Sequence, residues 1–332
     1  MDTSLGTIGT ILLATDGSPD AAEAARAAVA LARGAGARLH VVHAWQYASY
    51  AGLEMYGGTS SLLYAGDEQI AREVLAAAVA ALATPGVTVA GQHLRRDRPA
   101  SAIVALAAEL EADLIVLGSR GLGPIRRLLL GSVADEVAHT AASPTLVIRG
   151  GAGSWPPAHV VIGDDGSSAA TQAAALAATI GGLCGATGVL VRTYPPLPTH
   201  FRLAEPLLAA ALPGMDEAVL PTVQQLRDEA IDQAERDLAA RALALAPHFG
   251  ATPAVLVLSD APAATLLDVA GARGHALIAV GSRGLGPFQR FRLGSVSSAV
   301  LHAADGPVLV VPPRPAGTAI GEHTVAALVA QV

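Results

Sequence analysis

Two glycine-rich segments of identical sequence are the residues of this chain best suited to chemistry. The seven residues Gly-Ser-Arg-Gly-Leu-Gly-Pro occur at Gly118–Pro124 and again at Gly281–Pro287. Each segment follows an apolar run typical of a β-strand and precedes a stretch typical of a helix. A glycine loop at such a junction leaves backbone N–H groups bare, and these groups bind anions together with the helix N-terminus. The repeat therefore predicts two phosphate-binding loops.

Each segment opens a longer pattern of glycine, two residues, glycine, nine residues, then Gly-Ser. Glycines needed only for a tight turn do not have to recur at this spacing, so nucleotide binding is favoured over a turn without a ligand. The chain has no lysine, which excludes a lysine-containing phosphate loop and leaves arginine as the phosphate partner. The residues concerned are Gly118, Arg120, Gly121, Gly131 and Ser132 in the first copy, and Gly281, Arg283, Gly284, Gly294 and Ser295 in the second.

Two aspartates stand at comparable positions before these loops. Asp16 and Asp165 each begin an Asp-Gly-Ser turn that directly follows an apolar strand. Ligands of parallel α/β sheets bind beyond the carboxyl ends of the strands, where these aspartates and both glycine loops fall. The alternative is a turn or helix-capping aspartate, but the serine that follows can already cap the helix. A site role is favoured, and Asp165 is preferred over its neighbour Asp164.

The order of elements predicts an α/β fold made of two tandem, doubly wound parallel-sheet domains. Strands and helices alternate in the same sequence in both halves. Asp16 and Ala44 are separated by the same 28 positions as Asp165 and Thr193. The second half is longer by 14 residues, which we assign to a proline-rich insertion at 195–221. The predicted boundaries are 8–149 and 158–313 for the domains, 150–157 for the linker and 314–332 for the tail.

Composition excludes several classes of protein. The formal net charge is −7, which argues against general nucleic-acid binding. The single cysteine, Cys184, excludes an internal disulfide and a cysteine-based zinc site, and it fits a reducing compartment. No basic leader and no run of about 18 apolar residues is present. We therefore expect a soluble, cytoplasmic protein without membrane contact.

The doubled glycine pattern, the Asp-Gly-Ser turns and the closing strands PTLVIR and PVLVVP resemble the universal stress protein family. The resemblance covers nearly the whole chain, as a tandem member of the ATP-binding branch with an adenine nucleotide alpha-hydrolase-like, Rossmann-like fold. It implies that Asp16 and Asp165 lie beside the adenosine, and that Ala44 and Thr193 touch adenine through backbone groups. It also implies that Gly118 and Gly281 admit the ribose. The residues expected to wrap the phosphates are Gly121, Gly131, Ser132 and Val133, with Gly284, Gly294, Ser295 and Val296 in the second half.

The resemblance implies a stress-response regulator in which bound ATP, with or without Mg²⁺, gates a conformational state or the binding of a protein partner. No good catalytic base is evident, so slow hydrolysis at most is expected. Two alternatives remain open: a nucleotide-independent interaction scaffold, and an ATP pyrophosphatase or adenylating enzyme of related fold. The enzyme alternative lacks support, because such enzymes carry their phosphate loop after the first strand, whereas the glycine loop here follows the fourth strand. The closing strands are expected to pair between halves, as a pseudo-dimer, or between chains, as a homo-oligomer.

Two further features have structural explanations that we prefer. His139 and His302 occupy equivalent places in the last helix of each half and are expected to pack or lie at the surface. Asp113 precedes the fourth strand of the first half, where the second half has Ala276, and is expected to be structural. The tyrosines at 47, 50, 56 and 64 cluster in one loop, for which a lid or partner surface and an ordinary partly buried loop are equally good explanations.

Overall fold

The computed structural model describes residues 7–46, 60–121, 130–149, 155–194, 223–282 and 293–313. Several features predicted from the sequence lie outside these ranges: Arg283, Gly284, most of the linker, the 195–221 insertion, the tail, and the tyrosines at 47, 50 and 56. The helix at 60–66 is described by its backbone alone.

The first half alternates strands with helices. Its strands are β1 (Thr10–Ala14), β2 (Arg38–Trp45), β3 (Val89–Arg96), β4 (Leu114–Gly118) and β5 (Thr145–Ile148). Its helices are α1 (Pro19–Ala35), α2 (Ser60–Ala81), α3 (Pro99–Glu109) and α4 (Ser132–Thr140).

The second half repeats the same order. Its strands are β6 (His159–Gly163), β7 (Thr187–Thr193), β8 (Ala254–Leu258), β9 (Ala276–Gly281) and β10 (Val308–Val311). Its helices are α5 (Ser168–Cys184), α6 (Val223–Phe249), α7 (Pro262–Gly271) and α8 (Ser295–Ala303).

The helix that follows the first strand begins in the same way in both halves. The Ser18 hydroxyl accepts a hydrogen bond from Ala21 N, and the Ser167 hydroxyl accepts one from Ala170 N. These bonds satisfy first-turn N–H groups that have no partner within the helix. In each Asp-Gly-Ser turn the serine is thus the N-cap of the helix, and the aspartate lies at the end of the strand.

Several helices extend beyond their predicted bounds, most clearly α2 and α6. α2 begins at Ser60, whereas the sequence predicts a start at Asp67 after a loop that includes Tyr64 and Gly66. The cost of one internal glycine, about 1 kcal/mol, is small beside the propensity of the surrounding leucines and alanines. α6 ends at Phe249 rather than Leu245 and carries Pro247 in its final turn.

All ten strands form one sheet, in the order β3-β2-β1-β4-β5-β10-β9-β6-β7-β8. Strands within each half are parallel, and the halves join where β5 and β10 pair antiparallel with Leu146 opposite Leu309. The α/β fold class is confirmed. Of the two pairings expected for the closing strands, the structure shows the one between halves of a single chain.

Helices cover both faces of this sheet, and each face has its own apolar core. One core combines side chains of α1, α2, α5 and α6 with strand residues such as Ile11 and Ile162. The other combines α3, α4, α7 and α8 with residues such as Ile115 and Ile278. Both cores run across the β5–β10 junction, because each includes buried residues of both halves. The two halves are therefore joined by packing as well as by backbone hydrogen bonds.

Candidate nucleotide site

A cleft of about 600 Å³ lies at the carboxyl ends of β1, β2 and β4, between the sheet and helices α3 and α4. β1 pairs with β2 on one side and with β4 on the other. The chain therefore adds β2 and β3 on one side of β1, and then β4 and β5 on the other. This is the position at which doubly wound sheets open a crevice for ligands. Apolar side chains of Val42, Ile103 and Leu117 form part of the wall.

All eight residues predicted for the first-half site line this single cleft. They come from four separate stretches of the chain: the β1 turn, the end of β2, the loop after β4 and the start of α4. These residues are Asp16, Ala44, Gly118, Arg120, Gly121, Gly131, Ser132 and Val133.

The Asp16 side chain lies between its own turn and the glycine loop. Its Oδ1 accepts a hydrogen bond of 2.9 Å from Ser18 N. Its Oδ2 would lie only 2.5 Å from a Cβ placed on Gly121, so any larger residue at 121 would displace the carboxylate. Glycine at 121 therefore allows the loop to approach Asp16 without moving its carboxylate.

Gly118 ends β4 directly against the first turn of α1. A Cβ at this position would lie 2.6 Å from the carbonyl carbon of Asp20 and 2.8 Å from Ala21 N, both backbone atoms. At Gly281 the same test gives 2.9 Å to the carbonyl carbon of Ala169 and to Ala170 N. The glycine therefore has a packing role in both halves, in addition to the ribose contact that the sequence predicts.

The start of α4 closes the glycine loop and faces the cleft. Gly131 N donates to Ser119 O at 2.7 Å, which holds the two ends of the loop together. Gly131 is the N-cap of α4 and makes no side-chain cap hydrogen bond. The cleft is therefore bordered by a helix N-terminus without a side-chain cap, an arrangement that favours an anion.

Arg120 is held by an ion pair that the sequence did not predict. Its Nε donates to Asp20 Oδ2 at 3.0 Å and its Nη2 to Asp20 Oδ1 at 3.3 Å, while the Ser119 hydroxyl donates to the same carboxylate at 2.9 Å. The pair fastens the glycine loop to α1. The charge of Arg120 is therefore partly balanced by Asp20, and the guanidinium that was expected to contact a phosphate also forms this ion pair.

The second half repeats the hydrogen bonds of the first-strand turn and of the glycine-loop closure. Ser167 N donates to Asp165 Oδ1 at 2.9 Å, and Gly294 N donates to Ser282 O at 2.7 Å. Gly294 is likewise an N-cap without a side-chain bond, here for α8. The described residues of this set are Asp165, Thr193, Gly281, Gly294, Ser295 and Val296.

The halves differ behind the first-strand turn. In the first half the Thr15 hydroxyl accepts from Gly17 N. In the second half the equivalent Asp164 accepts from Gly166 N and also pairs with Arg192 and Arg241, with its side chain fully buried. Burial by itself lowers the pKa of Arg192, but its hydrogen bond and charge interaction with Asp164 leave that pKa raised. Asp164 is therefore structural, and Asp165 is left exposed at the strand end.

Among the lining residues that were not predicted from the sequence, two are ionisable. Asp135 stands in the first turn of α4, and His302 reaches the first-half cleft from α8 of the second half. No sequence pattern places residue 302 beside residue 135, because the contact arises only from the antiparallel joining of the halves. The sequence predicts a packing or surface histidine at 302, and the structure has an exposed His302 that also lines the cleft.

Asp113 has the structural role expected of it. Its Oδ2 accepts hydrogen bonds from Gly9 N at 2.9 Å and from Thr10 N at 3.0 Å, so it fixes the start of β1 against β4. Over the described ranges, no three or more His, Cys, Asp or Glu side chains are grouped in a way that could hold a metal ion. Over the same ranges, no helix has the length and apolar character needed to cross a membrane.

Comparisons with known proteins agree with this architecture. The sequence model of the universal stress protein family matches residues 7–149 and 158–312. A universal stress protein of Thermus aquaticus is 40% identical over 141 residues, which are 42% of this chain and 98% of that protein. One from Mycobacterium tuberculosis (strain ATCC 25618 / H37Rv) is 34% identical over 204 residues, 60% of this chain and 62% of that protein.

A solved structure shares the fold over nearly its whole length. The crystal structure of a universal stress protein from Archaeoglobus fulgidus DSM 4304 covers 92% of this chain and 98% of its own, with a TM-score of 0.58 and 19% sequence identity. The family match spans most of both halves, including both glycine loops. This chain belongs to the universal stress protein family.

Proposed function

We propose that this protein is an ATP-binding stress-response regulator in which nucleotide occupancy gates a conformational state or the binding of a protein partner. The observation that carries the proposal is the convergence of the eight residues predicted for the first-half site on one cleft. Four stretches of chain supply them, so their meeting is a property of the fold. A stretch of sequence similarity alone would not bring them together.

The two ends of the cleft differ in chemistry, as an adenine nucleotide requires. Val42, Ala44 and Ile103 offer an apolar surface for a base. The glycine loop and the N-terminus of α4 offer backbone N–H groups for phosphates. A volume of about 600 Å³ lies within the usual range for small-molecule sites, about 300–1,000 Å³.

We propose binding with slow hydrolysis at most, because two of the carboxylates near the loop are already engaged. Asp20 pairs with Arg120, and Asp16 accepts the Ser18 amide. Rapid hydrolysis needs a residue that orients a water molecule at the γ-phosphate together with charge stabilisation there. Any Mg²⁺ in this proposal is held mainly by the phosphates and water.

The second half supports a second site of the same kind. Its turn and its glycine-loop closure repeat the hydrogen bonds of the first half within 0.1 Å. The carboxylate of Asp20 has no counterpart there, because the equivalent position is Ala169. We therefore propose two competent sites whose affinities differ.

The test is the adenine nucleotide content of protein purified without added ligand, followed by equilibrium dialysis with ATP and Mg²⁺. We expect about two nucleotides per chain at saturation, falling to about one in Asp16→Ala and in Asp165→Ala. The ratio of ADP to ATP in the purified protein measures turnover. A wild-type protein that binds no nucleotide at millimolar ATP contradicts the proposal and favours the nucleotide-independent scaffold.

A further inference from the structure

Asp20, in the first turn of α1, adjoins the first-half cleft from the protein side. Among the described residues, Ser119 and Arg120 line that cleft, whereas Asp20 does not. The side chain of Asp20 is 14% exposed, and that of its ion-pair partner Arg120 is 39% exposed. The carboxylate therefore supports the cleft wall from behind, and the guanidinium group of Arg120 is the member of the pair that faces a ligand.

Three hydrogen bonds fix this carboxylate to the glycine loop. Asp20 Oδ2 accepts from the Ser119 hydroxyl at 2.9 Å and from Arg120 Nε at 3.0 Å, and Oδ1 accepts from Arg120 Nη2 at 3.3 Å. The main chain of the loop is held at the same place, because the Ser18 hydroxyl donates to Arg120 O at 3.2 Å. Both the backbone and the side chain of Arg120 are thus anchored to the start of α1.

A second arginine helps to balance the negative charge of Asp20. Arg149, at the end of β5, donates its Nη1 to Leu301 O at 2.9 Å. Burial, followed by the charge of Arg120, lowers the pKa of Arg149, and the charges of Asp305 and Asp20 oppose that effect. Asp20 thus interacts with two guanidinium groups, so its charge is compensated where it adjoins the cleft.

Holding Arg120 in one orientation favours phosphate binding. The planar guanidinium group presents its N–H donors in a fixed fork, and a free arginine side chain loses rotamer freedom when a ligand immobilises it. Asp20 already restricts Arg120 through Nε and Nη2. A phosphate that contacts the remaining N–H groups therefore binds at a smaller entropic cost than one that must order the side chain itself.

We propose that Asp20 is a positioning residue of the first-half site, which holds the Arg120 guanidinium group in the cleft wall for the phosphates of the nucleotide. The second half has Ala169 at the position of Asp20, so this ion pair cannot form there. The first site therefore recognises phosphates with an arginine that Asp20 restrains, and the second site lacks this restraint. This inference rests on the proposed function.

The test measures ATP affinity by equilibrium dialysis in the Asp165→Ala background, which leaves the first-half site intact. Asp20→Ala is expected to weaken binding about threefold to tenfold, the effect of having to immobilise one long side chain. Asp20→Asn is expected to stay within about twofold of the parent, because an amide oxygen at the Oδ2 position still accepts the two shorter hydrogen bonds. Equal weakening by the two variants would contradict the positioning role.

A double-mutant cycle separates positioning from a general structural role. Arg120→Ala is expected to weaken ATP binding at least as much as Asp20→Ala does, because it removes the group that contacts the phosphates. Adding Asp20→Ala to Arg120→Ala is then expected to change the affinity less than about 1.5-fold, since Asp20 acts through Arg120. If Asp20 acted through Ser119 or through the stability of α1, its removal would weaken binding just as much without Arg120.

Two controls complete the design. In the Asp16→Ala background, where only the second-half site remains, Asp20→Ala is expected to leave the affinity unchanged. Glu109→Ala removes another carboxylate paired with an arginine, Arg95, whose side chain is 40% exposed, nearly as much as that of Arg120. Neither member of this pair lines the cleft that the described residues form, so both sites should keep their affinity. Thermal unfolding confirms that each variant is folded.

The outcomes separate this inference from the proposed function. Absence of ATP binding in the wild-type protein defeats the proposed function itself. If the wild type binds ATP but Asp20→Ala leaves the first site unchanged or strengthens it, the carboxylate does not position Arg120 and the inference alone fails. An equal effect of Asp20→Ala on both sites, or an equal effect with and without Arg120, also overturns it.

Discussion

At the scale of single residues, two constraints meet at the glycine that ends β4. Gly118 lines the cleft, and its Cα also abuts the backbone of α1 at Asp20 and Ala21. Backbone atoms move less readily than the end of a flexible side chain, so a Cβ here must displace either β4 or the first turn of α1. The same turn supplies Asp20, which holds Arg120 in the loop. A change at residue 118 is therefore transmitted to the site through the packing of α1.

We predict that Gly118→Ala destabilises the protein by about 1–3 kcal/mol, the usual cost of overpacking, and weakens nucleotide binding in the first half. The matched control is Gly271→Ala at the end of α7, where nothing lies within 4 Å of the added Cβ and alanine is the better helix former. Urea unfolding and ATP titration of both variants test this. Equal stability of the two would contradict the packing argument.

At the scale of elements, α6 is fastened to the sheet by a buried charge cluster. Arg241 on α6 and Arg192 on β7 both pair with Asp164 at the end of β6. The Asp164 side chain is fully buried, and those of Arg192 and Arg241 are only 13% and 23% exposed. Removing the carboxylate would leave two guanidinium groups facing each other with little water.

We predict that Asp164→Ala lowers the free energy of unfolding by about 3–5 kcal/mol, because it leaves the charges of Arg192 and Arg241 buried without a counter-ion. Asp237→Ala, on the exposed face of the same helix, is the control and should cost less than about 0.5 kcal/mol. Chemical unfolding followed by circular dichroism measures both. Similar losses for the two variants would show that the cluster adds nothing to stability.

The β2–β3 edge carries a pair of histidines with a direct contact. His40 Nδ1 and His93 Nε2 are 3.1 Å apart, and the rings stack at 5.3 Å. The pKa of His40 is lowered first by burial and then by His93 and Arg38. The pKa of His93 is lowered first by burial and then by Arg95, with Glu109 opposing. One ring must donate and the other accept, so protonation of both breaks the contact.

This pair predicts a loss of stability in acid. Because both pKa values lie below about 6.5 in the folded protein, the unfolded chain takes up these protons first. The stabilisation is therefore complete above about pH 6.5 and falls as the pH decreases toward the folded values. The free energy of unfolding, measured from pH 7.5 to 5.0, should fall less steeply in the His40→Gln/His93→Gln variant than in the wild type. His159→Gln, at a half-buried position of β6 away from this pair, is the control and should change the slope less than the double variant does.

At the scale of the whole molecule, the two halves form one folded body. The sheet is continuous through β5 and β10, and both cores contain buried residues of both halves. Apolar burial across the junction means that neither half keeps its full core when the other unfolds. The same junction brings His302 to the first-half cleft.

We predict that the halves unfold together in one transition. Leu309→Ala, which removes a fully buried side chain opposite Leu146, should cost about 2–5 kcal/mol and lower hydrogen-exchange protection in β1 and β6 alike. Leu243→Ala, at an exposed position of α6, is the control and should leave both unchanged. Two separate calorimetric transitions, or a loss of protection confined to β6, would contradict this.

The sequence by itself determined the features that depend on local pattern and on repetition. Alternating apolar runs and glycine breaks predicted the α/β class, the order of elements, and the aspartate and glycine-loop residues of the first-half cleft, because each pattern lies within a short stretch and recurs in the second half. Ala44 and Val133 were implied only by the resemblance to the family. Helix ends were less well predicted, as at Ser60 and Phe249, because propensity changes little across a boundary.

Only the tertiary structure decided which distant side chains meet. The Arg120–Asp20 pair, the Asp164 cluster with Arg241 and the contact of His302 with Asp135 join residues between 77 and 167 positions apart. No local periodicity predicts such contacts, because they depend on how the helices pack on the sheet and on the antiparallel pairing of β5 with β10. The sequence therefore predicted the loops of the site, whereas the joining of the two halves decided which charges surround them.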